Sequence, residues 1–162
     1  MFATAGTYNG NLGGVAGANA ICQAEANTAG LPGTYKAWLS DSLGNSPSTT
    51  FSQSTVPYVL TDGHTQFAAN WSTLITGTIS NNITLTANGT PTTTESHFWT
   101  NTNDNGTPTD NNSAQSCGNW TDITDAAQTG TNFGATALWT VDAAAPYGCA
   151  PATPVGLYCF QQ

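Results

Sequence analysis

Residues 14–40, GVAGANAICQAEANTAGLPGTYKAWLS, hold the pattern that decides the fold. Over residues 14–29 apolar residues recur every three or four positions, which predicts a helix with Cys22 on its buried face. Gly30 and Pro32 supply the usual helix stop. Residues 35–40 then follow as a predicted strand. A disulfide formed by Cys22 would attach the helix to the segment in which the partner cysteine lies.

The rest of the chain predicts short elements separated by long polar loops. We expect a second helix at residues 67–75, a hairpin around residues 83–89, and strands at residues 1–8, 57–60, 98–100, 117–122, 137–141 and 155–160. The polar loops are residues 41–55, 76–94 and 101–116. Helices early and strands late favour an α+β fold. Since neither a repeat nor a linker is visible, residues 1–162 are expected to form a single domain.

The four cysteines suggest a nested arrangement, with Cys22–Cys159 outside and Cys117–Cys149 inside. Four cysteines allow three pairings, and their positions alone do not choose among them. In the loop-closure model a nested arrangement would contribute about 5 kcal/mol from the outer bond and about 3.7 kcal/mol from the inner one. The alternative is four reduced thiols in a cytosolic protein.

The composition favours a secreted or surface-displayed protein. Only 6% of residues are charged, the formal net charge is −8, and Lys36 is the only basic residue. A single lysine excludes nucleic acid, heparin-like polyanions and anionic membrane surfaces as partners. Because no apolar run is long enough for a bilayer, we expect no membrane insertion by this domain. Met1-Phe2-Ala3-Thr4 predicts a strand rather than a signal peptide, so export would require an upstream signal or anchor outside this chain.

Several segments, taken in order along nearly the whole chain, resemble endostatin, the C-terminal domain of certain collagens. They are residues 22–26, 30–40, 56–59, 70–71, 98–99, 117–120 and 157–160. Closer still is a bacterial family of endostatin-like extracellular domains, several of them in spirochaete surface lipoproteins. The opening of that family is similar to residues 8–14, followed by a helix with the first cysteine.

This resemblance implies a C-type-lectin-like fold with two helices, a twisted and mainly antiparallel sheet, long loops on one side and the nested disulfides. Members are mostly non-enzymatic, and some bind extracellular matrix or host plasma proteins. Endostatin binds heparin through arginines and zinc through N-terminal histidines. This chain has no arginine and no histidine near its start, so neither activity is expected.

The two histidines, His64 and His97, do not indicate an enzyme. Glu95, Ser96 and His97 form a Ser/His/acid set on paper, but neighbouring residues of a strand point to opposite faces. Nothing resembles a nucleophile elbow, and two histidines without a thiol pair make a weak zinc site.

One loop resembles a calcium-binding loop. Asn101, Asn103 and Asn105 place side-chain oxygens at alternate positions before a glycine, with Asp104 and Asp110 close by. Asn stands where the motif expects its first Asp, and no Glu follows at the twelfth position. The alternative is therefore a solvated loop without a cation.

A second candidate contact lies ahead of Cys149. Trp139 and Asp142 are similar to the Trp-Asn-Asp motif through which C-type lectins hold calcium and sugar, but with an extra residue and without the Asn. Core packing is the alternative for Trp139, as it is for the other tryptophans.

Together these patterns favour a non-enzymatic extracellular or cell-surface binding or adhesion domain that recognises protein or glycan through its polar loops. No cofactor is expected apart from the candidate calcium ion. The alternative is a structural subunit of a surface layer, sheath, fibre or appendage, assembled through contacts with copies of itself.

Overall fold

The computed structural model describes residues 1–92, 96–132, 137–142, 146–150 and 155–162, and over these the fold is α+β. The helices are α1 (Gly14–Thr28), α2 (Pro47–Thr50) and α3 (Trp71–Leu74). The strands are β1 (Phe2–Ala3), β2 (Tyr35–Ala37), β3 (Tyr58–Val59), β4 (Gln66–Ala68), β5 (His97–Trp99), β6 (Ala126–Ala127), β7 (Thr129–Thr131), β8 (Tyr147–Gly148), β9 (Val155–Gly156) and β10 (Tyr158–Gln161). Short 3-10 helices cover Ser113–Gln115 and Ala137–Trp139.

The strands form small sheets, most of them antiparallel. The order β1-β10-β2 makes an antiparallel sheet, and β7-β5-β9 makes a mixed one in which β5 and β9 are parallel. The pairs β3-β4 and β6-β8 are antiparallel. Because β10 lies between β1 and β2, the last strand is the centre of the sheet on which α1 packs.

Helix α1 forms as predicted and covers the outer edge of β2. Its buried face consists of Ala18, Cys22 and Ala26. The side-chain oxygens of Asn19 and Gln23 accept hydrogen bonds from the backbone nitrogens of Ala37 and Tyr35, at 2.9 and 2.8 Å. These bonds satisfy the backbone donors of an edge strand that would otherwise be open to pairing.

Both disulfides are present, in the nested arrangement. Cys22 bonds to Cys159 across 137 residues, and Cys117 bonds to Cys149 across 32 residues. All four residues are fully buried in the core between α1 and the sheets. The bond from Cys22 therefore joins α1 directly to β10.

A second core is built from aromatic rings around Trp38. The ring of Trp38 lies 4.9 Å from Trp139, 5.3 Å from Phe160 and 5.8 Å from Phe51, between ring centroids. Trp99 and Trp120 are fully buried in the first core and Trp71 is buried in the second. The tryptophans therefore serve packing, and none presents an open face to a sugar.

Two predicted elements are wrong, and a third is shorter than predicted. Residues 117–122 form a left-handed helical turn instead of a strand, and residues 137–141 contain a 3-10 helix instead of a strand. Within the predicted helix at residues 67–75, Phe67 lies in β4, and only Trp71–Leu74 are helical, behind a cap in which Asn70 accepts from the backbone of Thr73 at 2.9 Å. In each case long-range pairing or burial overrides the local pattern.

Other segments differ in extent. The first strand is limited to Phe2–Ala3, loop 41–55 contains α2, and residues 155–160 divide between β9 and β10. The predicted hairpin is reduced to a bridge between Leu85 and Pro91. Residues 93–94 of loop 76–94, and Glu95, lie outside the described residues. In the described part of the chain no helix is long and apolar enough to cross a bilayer.

A candidate binding cavity

The surface cavities of the described residues include three that differ in polarity, and the most polar of them lies where α1 begins. The others, of about 400 and 310 Å³, lie between the second half of α1 and residues 86–88, and beside residues 52–59. The third has a volume of about 490 Å³ and lies between α1, β2, loop 41–50 and the turn at residues 117–121. We call it the Lys36 cavity; its walls include Val15, Asn19, Lys36, Asp41, Asn119 and Thr121. It contains the only basic residue of the chain.

The first wall is the start of α1. The helix begins with two glycines in left-handed backbone, its N-cap Gly13 at φ 78° and its first residue Gly14 at φ 77°. No side chain caps this end, and no acidic residue lies in its first turn. The first backbone N–H groups of an α-helix have no acceptor within the helix, and here no capping side chain accepts from them.

Lys36 forms the floor of the cavity from the middle of β2. It is partly buried, and its Nζ donates to the backbone oxygen of Thr50 at 2.5 Å. The ion pairs in the described residues join His64 to Asp62 and His97 to Asp142, so no described carboxylate lies within 4 Å of Lys36. The hydrogen-bond acceptor for the only basic side chain of this acidic chain is therefore a neutral backbone carbonyl.

The opposite wall is loop 41–50, closed on itself by Asp41. This carboxylate is only 2% exposed and accepts hydrogen bonds from the backbone nitrogens of Leu43 and Asn45, both at 2.9 Å, and from Asn45 Nδ2 at 2.6 Å. The negative charge of Asp41 is therefore used inside its own loop. Leu43, at 74% exposure, forms an apolar rim.

The last wall is the left-handed turn Cys117–Trp120. Its φ angles are 50°, 59°, 59° and 65°, and three of the four residues are not glycine. Left-handed backbone costs about 1–2 kcal/mol for each such residue. The disulfide to Cys149, the fully buried ring of Trp120 and a 2.8 Å hydrogen bond from Trp120 Nε1 to Ser40 hold the turn in place.

The predicted calcium loop uses its side chains for its own hydrogen bonds. Asn101 is buried and donates to the backbone oxygens of Ser40 and Asp110, both at 3.4 Å, while Thr109 donates to its side-chain oxygen. Asn103 donates to Pro108 at 2.8 Å. Of these bonds, the one from Thr109 occupies an oxygen that the calcium prediction requires as a ligand, whereas the others are donated by the amide NH₂ groups.

The two acidic candidates of that loop are used in the same way. Asp104 and Asp110 accept from the backbone nitrogens of Asn105 and Asn112, at 2.9 and 2.8 Å. Within the described residues, His, Cys, Asp and Glu form no group of three or more that could hold a metal ion. Calcium binding by this loop stays a prediction.

Trp139 and Asp142 have separate surroundings. Trp139 is 1% exposed and belongs to the aromatic core. Asp142 lies 3.5 Å from Nδ1 of His97, whose ring is 4.2 Å from that of Tyr147 between centroids. His64 is an exposed turn residue beside Asp62. Only Asp142 of the predicted pair therefore keeps partial access to solvent.

Sequence reasoning missed most of the cavity. In the sequence Lys36 stands out only because it is the sole basic residue. No sequence pattern marks the other polar lining residues as part of a site: Asn19, Asp41, Asn45 and Asn119. The sequence Asp41–Asn45 has the Asp and Gly of a turn, and Gly118-Asn119 has the residues that tolerate left-handed backbone. Those signals predict turns, but they do not predict that the turns meet.

These features define a class: a disulfide-closed α+β domain with polar loops around a cavity, from an oxidising compartment such as the periplasm or the cell exterior. The chain belongs to the family described as Protein of unknown function (DUF1554), whose model matches residues 5–138. The match includes the whole Lys36 cavity, but it ends before Cys149 and Cys159. No curated protein matches the chain.

Proposed function

We propose that this protein is a non-enzymatic extracellular or cell-surface binding domain with an endostatin-like, C-type-lectin-like fold. It recognises a protein or glycan, and the Lys36 cavity with its loops is the contact surface. The cavity itself carries the proposal: its volume of about 490 Å³ is within the range of ligand sites, roughly 300–1,000 Å³. Its walls are fixed by a disulfide and by side-chain hydrogen bonds, so little ordering is left for a ligand to impose.

The fold assignment is supported by the way the chain closes. Helix α1 packs on a sheet whose central strand is β10, and Cys22–Cys159 joins the two. The inner disulfide completes the nested pair that the resemblance to endostatin-like domains implies. Export to the cell surface is supported by the same disulfides and by the shortage of charged residues.

Binding rather than catalysis is supported by the chemistry of the lining. The ionisable residues that line the Lys36 cavity are Lys36 and Asp41. The carboxylate of Asp41 already accepts three hydrogen bonds from its own loop, so it is not directed at a ligand in the cavity. The remaining polar groups are amides and hydroxyls, which recognise ligands by hydrogen bonding.

A steric block at the cavity tests the proposal. Ala16 is an exposed lining residue of α1, whereas Ala20 is exposed on the same helix but lines none of the three cavities. Purified parent, Ala16→Phe and Ala20→Phe proteins are compared against a printed glycan array and a panel of purified extracellular-matrix proteins. We expect the parent and Ala20→Phe to bind at least one target and Ala16→Phe to lose at least tenfold in affinity. Binding that is unchanged in Ala16→Phe, or absent from the parent, contradicts the proposal.

Assembly into a surface layer or fibre is the competing proposal, and sedimentation distinguishes the two. A binding module stays monomeric as its concentration rises. A structural subunit forms larger species and buries well over about 1,000 Å² between copies.

A further inference from the structure

We infer that the Lys36 cavity selects a singly charged acidic sugar, such as a uronic acid unit of a glycan. The inference rests on the proposed binding function and names its ligand class. Its basis is that Lys36, the only basic residue in a chain of net charge −8, lies in a concave site where no carboxylate of the described residues is within 4 Å of it.

The ammonium group of Lys36 has capacity left for a ligand. A lysine carries three N–H donors, and the structure uses one of them on the backbone oxygen of Thr50. A ligand carboxylate would replace water at the remaining donors with charge-assisted hydrogen bonds, which are about twice as strong as neutral ones.

Two amides of the lining have a fixed orientation that leaves their NH₂ groups available. The oxygen of Asn19 accepts from the backbone nitrogen of Ala37, and that of Asn119 accepts from the backbone nitrogen of Ser42, both at 2.9 Å. Because a backbone nitrogen can only donate, each amide must direct its oxygen there and its NH₂ group elsewhere. Neither NH₂ group has an acceptor in the described part of the chain.

Asn45 offers the cavity an acceptor, whereas these two amides offer donors. Its NH₂ group donates to Asp41 at 2.6 Å, which leaves its oxygen as an acceptor at the cavity. The lining thus offers one cation, two amide donors and an amide acceptor. Sugar hydroxyls both donate and accept, so an acidic sugar matches this set, and the exposed side chain of Leu43 can contact its C–H face.

The same charges argue against a polyanion. One ammonium group balances one carboxylate, whereas a sulfated or phosphorylated chain would bring further negative charge towards Asp41 and a protein of net charge −8. A peptide with a free C-terminal carboxylate would satisfy Lys36 as well, but each of its backbone N–H groups needs an acceptor, and the lining is richer in donors. The sugar therefore fits better than the peptide.

The test compares methyl β-glucuronide with methyl β-glucoside, which differ only in the carboxylate at C6. Chemical-shift titrations of the ¹⁵N-labelled protein give the affinities for the parent, Lys36→Met and Lys36→Gln, with N-acetylglycylglycine as the peptide arm. Met retains much of the apolar stem of Lys and Gln retains a donor, so at least one variant is expected to stay folded. We expect the parent to prefer the glucuronide at least tenfold over the glucoside, and both variants to lose that preference.

Three results would overturn the inference: equal affinity of the parent for the two glycosides, an undiminished preference in both Lys36 variants, or peptide binding as tight as glucuronide binding. None of these results alone decides the proposed function. That function fails only if Ala16→Phe leaves all ligand binding unchanged or the parent binds nothing. If the parent binds a neutral glycan or a protein and Ala16→Phe abolishes this binding, the proposed function stands and only the selectivity for a carboxylate is lost.

Discussion

The side-chain oxygen of Asn119 accepts two hydrogen bonds from Ser42, one from the backbone nitrogen at 2.9 Å and one from the hydroxyl at 2.8 Å. The two residues are 77 positions apart in the chain. This pair holds loop 41–50 against the turn Cys117–Trp120, so two walls of the Lys36 cavity are tied together through one amide.

Asn119→Ala should lower the free energy of unfolding by about 2–4 kcal/mol. The change removes the two hydrogen bonds from Ser42, each contributing about 0.5–1.5 kcal/mol, and a longer one from the Ser116 hydroxyl at 3.4 Å, and it leaves a non-glycine residue at φ 59°. Asn119→Gly loses the same bonds but tolerates that backbone, so it should be more stable than Asn119→Ala. Urea unfolding measures both. A glycine variant less stable than the alanine variant would contradict the role of the left-handed backbone.

Gly130→Ala should destabilise the protein, by about 1–3 kcal/mol on the scale of overpacked sites. A Cβ atom at this position of β7 would lie 1.9 Å from the backbone oxygen of Trp139. Gly148→Ala in β8 is the matched control, because a Cβ there meets nothing within 4 Å. Thermal unfolding of both variants checks the prediction; equal losses would mean that the contact between β7 and the 3-10 helix can relax.

Removal of the outer disulfide should cost more than removal of the inner one. In the loop-closure model, Cys22→Ala with Cys159→Ala loses about 5 kcal/mol and Cys117→Ala with Cys149→Ala about 3.7 kcal/mol, because the closed loops differ in length. Denaturant unfolding of the two double variants gives the order. The reverse order would show that the inner bond contributes mainly by holding the left-handed turn.

The turn after β3 should make the stability of the folded protein depend on pH under acidic conditions. Hydrogen bonds from the Thr65 hydroxyl, then from the backbone nitrogens of Thr65 and His64, lower the pKa of Asp62 from 3.8 to about 2. Since the folded pKa is below the unfolded one, the stabilisation is complete above about pH 4 and is lost as the pH falls through 2. The difference in melting temperature between the parent and Asp62→Asn should therefore shrink between pH 4 and pH 2.

The carboxyl group can also be followed directly. An NMR titration should place the pKa of Asp62 near 2 in the parent. In Thr65→Val, which lacks the hydroxyl, the pKa should rise toward its ordinary value. An unchanged pKa in this variant would assign the shift to the backbone nitrogens alone.

The sequence predicts the elements whose burial follows a local period. Helix α1 is found because Ala18, Cys22 and Ala26 repeat every four residues and all three are buried. Strand β2 and the end of the chain are found because their apolar residues lie between clear turn signals. In these places local pattern and tertiary burial agree, so one predicts the other.

The failures come from segments that are shaped by distant partners. Residues 117–122 contain Cys117 and Trp120 between polar residues, as a short strand can, but the disulfide of Cys117 and the burial of Trp120 impose a left-handed turn. Trp139 is in a 3-10 helix because its ring packs on Trp38, about a hundred residues earlier. Such pairings have no local signature.

The Lys36 cavity is the extreme case. Its walls come from residues 14–19, 36, 41–50 and 118–121, and its side chains become a site only once α1, β2 and the left-handed turn meet. The individual turns could be predicted, but their mutual positions depend on the two disulfides.

Most bonds that shape the polar loops begin and end inside the same loop. Asp41 closes its turn through Asn45, Asp62 through Thr65 and Asn105 through Thr107. Each of these turns is therefore fixed largely by its own side chains, while a few bonds such as that between Ser42 and Asn119 set its position against the rest of the chain. If the loops bind a ligand as proposed, substitutions between these turn residues would alter what is bound while the two cystines keep the same framework.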